Sequence, residues 1–134
     1  MAGVVSNAYL TTAQTAAVDA TASPVEWYLQ LFTNNHTPGQ ADLNSAYTLP
    51  TDVDYAAIAL PGSGWTVAQA GGIVKATNSG GTFTFAAGAT VYGYFLSNSG
   101  NTVFGGGELF SGGVITIPSG GGTLTVTVEI DATT

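Results

Sequence analysis

The sequence predicts an all-β protein: an antiparallel β-sandwich or a jelly-roll-like small barrel of about eight strands, preceded by an extended N-terminal arm. Three observations carry this. Segments rich in Val, Ile, Thr, Tyr and Phe recur at roughly 8–12-residue spacing, with turn residues between them. The 19 glycines fall mostly at the junctions of those segments. No stretch after residue 24 shows the 3.6-residue apolar period of a helix. The chain lacks an internal repeat of fixed period, which excludes a solenoid or propeller.

Residues 1–24 form the arm. Thr11–Ser23, TTAQTAAVDATAS, holds no large apolar side chain except Val18, so it offers little to dock. Upstream, Val4, Val5, Tyr9 and Leu10 make a small sticky patch and are candidate assembly-interface residues. A frayed terminus is the bland alternative. It has no need of Val-Val and Tyr-Leu, so an arm that reaches a neighbour or lies across the domain is favoured. Pro24 marks the start of the core, and residues 25–134 are expected to be one β-sandwich domain.

Glu26–Thr33, EWYLQLFT, reads as the first core strand. Trp27, Leu29 and Leu31 share one side, with Tyr28 and Phe32 on the other, so both sides are expected to be buried. Asn34–Gly39 is a dense turn signal, and residues 40–54 read as a long polar loop in which Pro50 excludes central pairing. Tyr55–Leu60 is the next strand, ending at Pro61-Gly62. Gly64–Ala68 and Gly72–Thr77 follow, then a turn at Asn78–Gly81. In Thr82–Phe85 the two Phe should point inward. Ala89–Ser97 is the strongest strand, with Gly93 marking a bulge or a close backbone approach. Asn98–Asn101 turns the chain into Thr102–Phe110. Val114–Ile117 is short and closed by Pro118. Thr123–Ile130 alternates Thr or Glu outward with Leu124, Val126, Val128 and Ile130 inward.

Charge excludes several functions. The chain has one Lys, no Arg and eight acids, for a net charge of −7. Nonspecific nucleic-acid binding needs several cations to displace counterions, and a basic patch is needed at anionic membranes. No apolar run approaches the ~20 residues of a membrane span. MAGVVSNAYL lacks the basic and apolar regions of a secretory leader, so none is expected. Absence of Cys excludes disulfides, thiolate metal sites and a Cys nucleophile. A protein of this size exposes roughly 6,500 Å², thinly covered by so few charges. Either assembly buries much of that surface, or neutral Thr, Ser and Asn face solvent; assembly is favoured.

Little in the residue types points to catalysis. His36 is the only His and lies in a turn cluster, where a solvated ring is the ordinary expectation. One His without Cys makes zinc unfavourable. Asp52 and Asp54 have a spacing that can begin a calcium loop, but the EF-hand pattern is absent and a solvated acidic loop is the simpler reading. Asn35-His36-Thr37 is a chance-level sequon. No cofactor is expected. Tyr92 and Tyr94 fall on one side of their strand in a regular alternation. If that side is exposed, they form a strip for sugar or protein; if it is core, they only fill space.

Several runs, in order, resemble a family. They are LQLFTNNHTPGQADLNSAYTLP (Leu29–Pro50), GWTV (Gly64–Val67), TFTF (Thr82–Phe85), VYGYFLSNSGNTVFGGGELF (Val91–Phe110) and TLTVTVEI (Thr123–Ile130). They resemble small late-gene structural proteins of tailed bacteriophages, in which a strand ending in LFTN precedes a TP…D loop and a VYGYxxxxxxG hairpin leads to a terminal LTVTxxI strand. The resemblance spans roughly residues 28–130 and leaves the arm outside. It carries no catalytic motif. It implies a non-enzymatic virion protein, most like a capsid decoration (cement) protein. Such a protein is made in the host bacterial cytoplasm and sits on the capsid surface as a homo-oligomer, expected to be a homotrimer, bound to the major capsid protein. These motifs do not separate capsid from tail. A tail- or fibre-associated module contacting host glycan or a neighbouring tail protein stays as the alternative.

Overall fold

The segment WYLQLF has large side chains on both sides, and the architecture is what results from covering both. The computed structural model describes residues 4–5, 27–61, 64–70 and 73–133. The strands are β1 (Val4–Val5), β2 (Trp27–Phe32), β3 (Ile58–Leu60), β4 (Trp65–Ala70), β5 (Ile73–Phe85), β6 (Ala89–Val91), β7 (Gly93–Ser97), β8 (Phe104–Leu109), β9 (Ile115–Ile117) and β10 (Gly122–Thr133). Asn44–Ala46 is one 3-10 turn, and the described residues contain no α-helix. None of their helices is long and apolar enough to cross a membrane.

All strand pairings among the described residues are antiparallel. One sheet has the order β1-β8-β7-β2-β3, a second β10-β5-β4, and β6 pairs with β9. This is the all-β antiparallel class that the spacing predicts. The principal core lies between the sheets. It joins Trp27, Leu29 and Leu31 of β2 and Leu96 of β7 to Phe83 and Phe85 of β5 and Val126 and Val128 of β10. The other face of the larger sheet is covered by the 33–57 connection, around Phe32, Tyr47, Phe95 and Phe104. Each buried side chain of this size contributes roughly 1.5–3 kcal/mol, so four together hold an otherwise irregular loop in place. Tyr47 is the centre of this second core, stacked at 4.6 Å on Phe95 and 5.0 Å on Phe104.

Three expectations are corrected. The strand expected over Tyr55–Leu60 is only Ile58–Leu60, because Tyr55 leaves the ladder to stack on Phe83 at 5.6 Å. The turn expected at Asn78–Gly81 is not a turn: β5 runs straight through it. Asn78 pairs with Val128 and Gly81 with Val126, so Ser79 and Gly80 together oppose Thr127 as a β-bulge. Gly80 sits at φ +66° and donates its N–H to Asn78 Oδ1 at 2.8 Å. The turn residues are real, but the positive φ of Gly80 serves a bulge.

The third correction concerns the tyrosine pair. Val91, Tyr94 and Leu96 belong to the principal core, whereas Tyr92 and Phe95 lie against the second one. Alternation therefore slips by one residue between Tyr92 and Tyr94. Gly93 is the cause: a Cβ there would lie 2.1 Å from the Glu108 carbonyl oxygen and 2.8 Å from Phe32 Cζ. The close approach read at Gly93 is present, and it separates the two tyrosines.

Candidate functional site

β8 is where the fold meets its N-terminal segment. In its sequence FGGGEL, a Cβ on Gly105 would fall 2.7 Å from the Trp27 ring, and one on Gly107 would fall 3.0 Å from Phe95 Cβ. Phe104–Gly107 are buried although β8 lies at the margin of the hairpin-built sheet. Backbone groups buried at a margin need partners. β1 supplies them, pairing Val4 with Gly107 and Val5 with Gly106. Of the sticky patch, the backbone of Val4 and Val5 is thus on the β8 edge, while Tyr9 and Leu10 lie outside the described residues.

A groove of about 670 Å³ runs between residues 48–53 and 86–90. Its walls are mostly Thr and Ala, with Leu49, Pro50 and Gly88, and Val53 stands 88% exposed at its rim. Asp52 joins the two walls. Its Oδ1 accepts the Ala86 and Asp54 N–H groups, and its Oδ2 accepts the Ala87 N–H, all at 2.9 Å. These backbone donors, Ala86 first, hold its carboxyl below the usual carboxylate value. Asp52 is therefore a clamp between loops. Among the described residues no three His, Asp or Glu side chains gather as a metal site would require.

His36 is not a freely solvated ring. Its Nε2 lies 2.7 Å from Asp42 Oδ2, which also accepts the Gly39 N–H at 2.8 Å and the Tyr47 hydroxyl at 2.7 Å. Burial works to raise the Asp42 carboxyl, but its donors, with His36 the strongest, outweigh it and hold the group below its usual value. Burial and the Asp42 charge push the Tyr47 phenol far up, so it stays protonated and donates. The arrangement anchors the 33–54 loop onto the second core. Sequence reasoning missed it because His36, Asp42 and Tyr47 share no spacing rule; the loop has to close before they meet.

Tyr94 lies in a crevice of about 300 Å³ between the sheets. Its side chain is only 4% exposed, and its hydroxyl donates to Glu108 Oε2 at 2.9 Å while facing the Glu129 backbone. Burial first, then the Glu108 charge, pushes this phenol well up. Glu129 also pairs with Lys75 at 3.0 Å on the surface. Tyr92 is half-buried. The two tyrosines do not form one exposed strip. Comparison with protein-family models gave no match, and comparison with curated proteins gave none either.

Proposed function

We propose that this chain is a non-enzymatic structural protein of a virion. In this reading it binds the outside of an assembled phage capsid as a homo-oligomer, a trimer, and stabilises contacts between major capsid protein subunits. The observation that carries the reading is a β-sandwich with few charged groups on its surface: one Lys and eight acids over 7090 Å². Two of those acids, Asp42 and Asp52, are committed to internal hydrogen bonds. Burying charge against a partner carries a large desolvation cost, and burying Thr, Ala and Gly carries little. Such a surface suits repeated, extensive contact with a shell. A protein that binds the assembled shell and not free subunits stabilises that shell by linkage, and many copies multiply the effect.

The alternative, a tail or fibre module that grips glycan through Tyr92 and Tyr94, loses support from the burial of Tyr94. The test is co-sedimentation of the full chain with assembled capsids of its own virus, against free capsid subunits and a chain lacking residues 2–23. Saturable binding to shells alone, lost on truncation, is expected. Equal binding to free subunits, or saturable glycan binding without shell binding, overturns the proposal.

A further inference from the structure

We infer that the crevice between β8 and β10 is the seat of this chain's own residues 1–3, which carry β1 on past Val4 and close the open side of the sandwich. The inference stands apart from the virion reading. Register leads to it. β1 pairs Val4 with Gly107 and Val5 with Gly106, antiparallel. Continued by the same rule, Gly3 falls opposite Glu108, Ala2 opposite Leu109 and Met1 opposite Phe110. Those three partners line the crevice, whose other wall is residues 124–127 and Glu129 of β10. β1 already lies against β10, so its line runs into the gap between the two strands.

Both walls turn main-chain groups toward that gap. The Phe110 N–H goes to the Tyr92 carbonyl, on the β7 side. Alternation along β8 therefore turns the Leu109 N–H and C=O toward the crevice. Across the gap, the Tyr94 hydroxyl stands 3.4 Å from the Glu129 carbonyl oxygen and 3.5 Å from the Glu129 nitrogen. Its one proton goes to Glu108 Oε2 at 2.9 Å, so the Glu129 carbonyl receives no donor from it. Glu129 and, by alternation, Thr127 thus face the gap. Among the described residues β10 is bonded to β5 along its other edge and to no strand along this one. An edge left open in this way takes an added strand through main-chain hydrogen bonds.

The same chain is the favoured source of that strand. Val4–Val5 are already in place, so pairing residues 1–3 closes no further loop. The tie through β1 also holds them at the mouth of the crevice at a high effective concentration, which a free peptide or a second copy lacks. Ala2 and Gly3 bring little bulk to a space of about 300 Å³, and residues 1–3 bring no charged side chain that would lose water there. The result is a latch joining the sheet of β8 to the sheet of β10.

The test is amide hydrogen exchange on the full chain, read residue by residue by NMR, against A2P/G3P. The prolines remove two N–H donors, one toward each wall, and leave Val4–Val5 unchanged. Exchange at Leu109, Thr127 and Glu129 is expected to quicken about tenfold or more in the variant, while Phe110, bonded to Tyr92, keeps its rate. A second measurement uses no proline. The chain has no Cys, so A2C/L109C carries the only thiols, and the register brings their Cα atoms within disulfide reach. Air oxidation is expected to close that bond within one chain, and not in A2C/T116C, whose second site is exposed on β9. Equal exchange rates in the chain and the folded proline variant, or no more disulfide in A2C/L109C than in the control, overturn the latch. If A2P/G3P fails to fold, the disulfide decides. Protection at Leu109 and Glu129 that rises with protein concentration would give the crevice to a second copy and overturn it too.

Discussion

The Tyr55 hydroxyl accepts the Leu31 N–H at 2.9 Å, where β3 has stopped covering β2. Backbone pairing between these strands ends at Leu29–Ile58, and a side chain takes over as the next partner. The same hydroxyl donates to Gln30 Oε1 at 2.7 Å, so two buried polar groups depend on it. Tyr55→Phe keeps the ring stacked on Phe83 but leaves both groups unpaired. An unsatisfied buried group costs about 1–3 kcal/mol, so urea unfolding should show a loss in that range with an unchanged slope. A loss below about 0.5 kcal/mol would mean that water reaches Leu31.

Tyr47, Tyr55 and Tyr94 should make the protein sensitive to alkali. Burial raises all three phenols above the ordinary 10.0, Tyr55 to about 12. A phenol whose folded value lies above its unfolded value contributes stability in full below pH 10. That contribution is lost as pH rises through the folded value. Absorbance titration should therefore show Tyr47, Tyr55 and Tyr94 ionising late, together with loss of the near-ultraviolet circular dichroism. Ionisation of these three near the ordinary 10.0 with the fold intact would contradict the burial of these rings.

Asp42 contributes to the acid response alongside Asp52, whose carboxyl is also held below its usual value. The folded value of Asp42 is below the ordinary 3.8, so the native state binds fewer protons there than the unfolded chain. Its contribution is present above the unfolded value and is lost as pH falls through the folded one. Asp42→Asn should lower stability at neutral pH and flatten the fall in stability between about pH 5 and pH 2. The urea midpoint measured across that window decides it. Parallel pH profiles for the two proteins would remove Asp42 from the acid response.

The strand inventory was legible because it rests on local alternation. Phe83 and Phe85, Val126 and Val128, and the two-sided β2 all follow from a period of two. What the sequence hid is where alternation slips. At Tyr92–Gly93 one residue of irregularity moves Tyr94 into the core, and at Ser79–Gly80 a bulge imitates a turn. Gly93 was readable as a close approach, but not the side on which the chain resumes. The His36–Asp42–Tyr47 anchor was hidden for a different reason. It is built by a loop folding over the Phe95 ring, and no spacing in that loop encodes the destination.

Gly80 tests the bulge directly. Its φ is +66°, and a Cβ there would lie 1.8 Å from the Val126 carbonyl oxygen. Gly80→Ala therefore meets both backbone strain and a collision with the partner strand, and should cost at least about 2 kcal/mol. A two-residue turn at Asn78–Gly81 would expose position 80 to solvent and remove the collision. Gly112 is the matched control, since a Cβ there meets nothing within 4 Å. Gly112→Ala should be neutral or stabilising by about 0.4–1 kcal/mol, through the unfolded chain. Thermal unfolding of the two variants separates the cases: a lower Tm for Gly80→Ala alone supports the bulge, and equal Tm values would restore the turn.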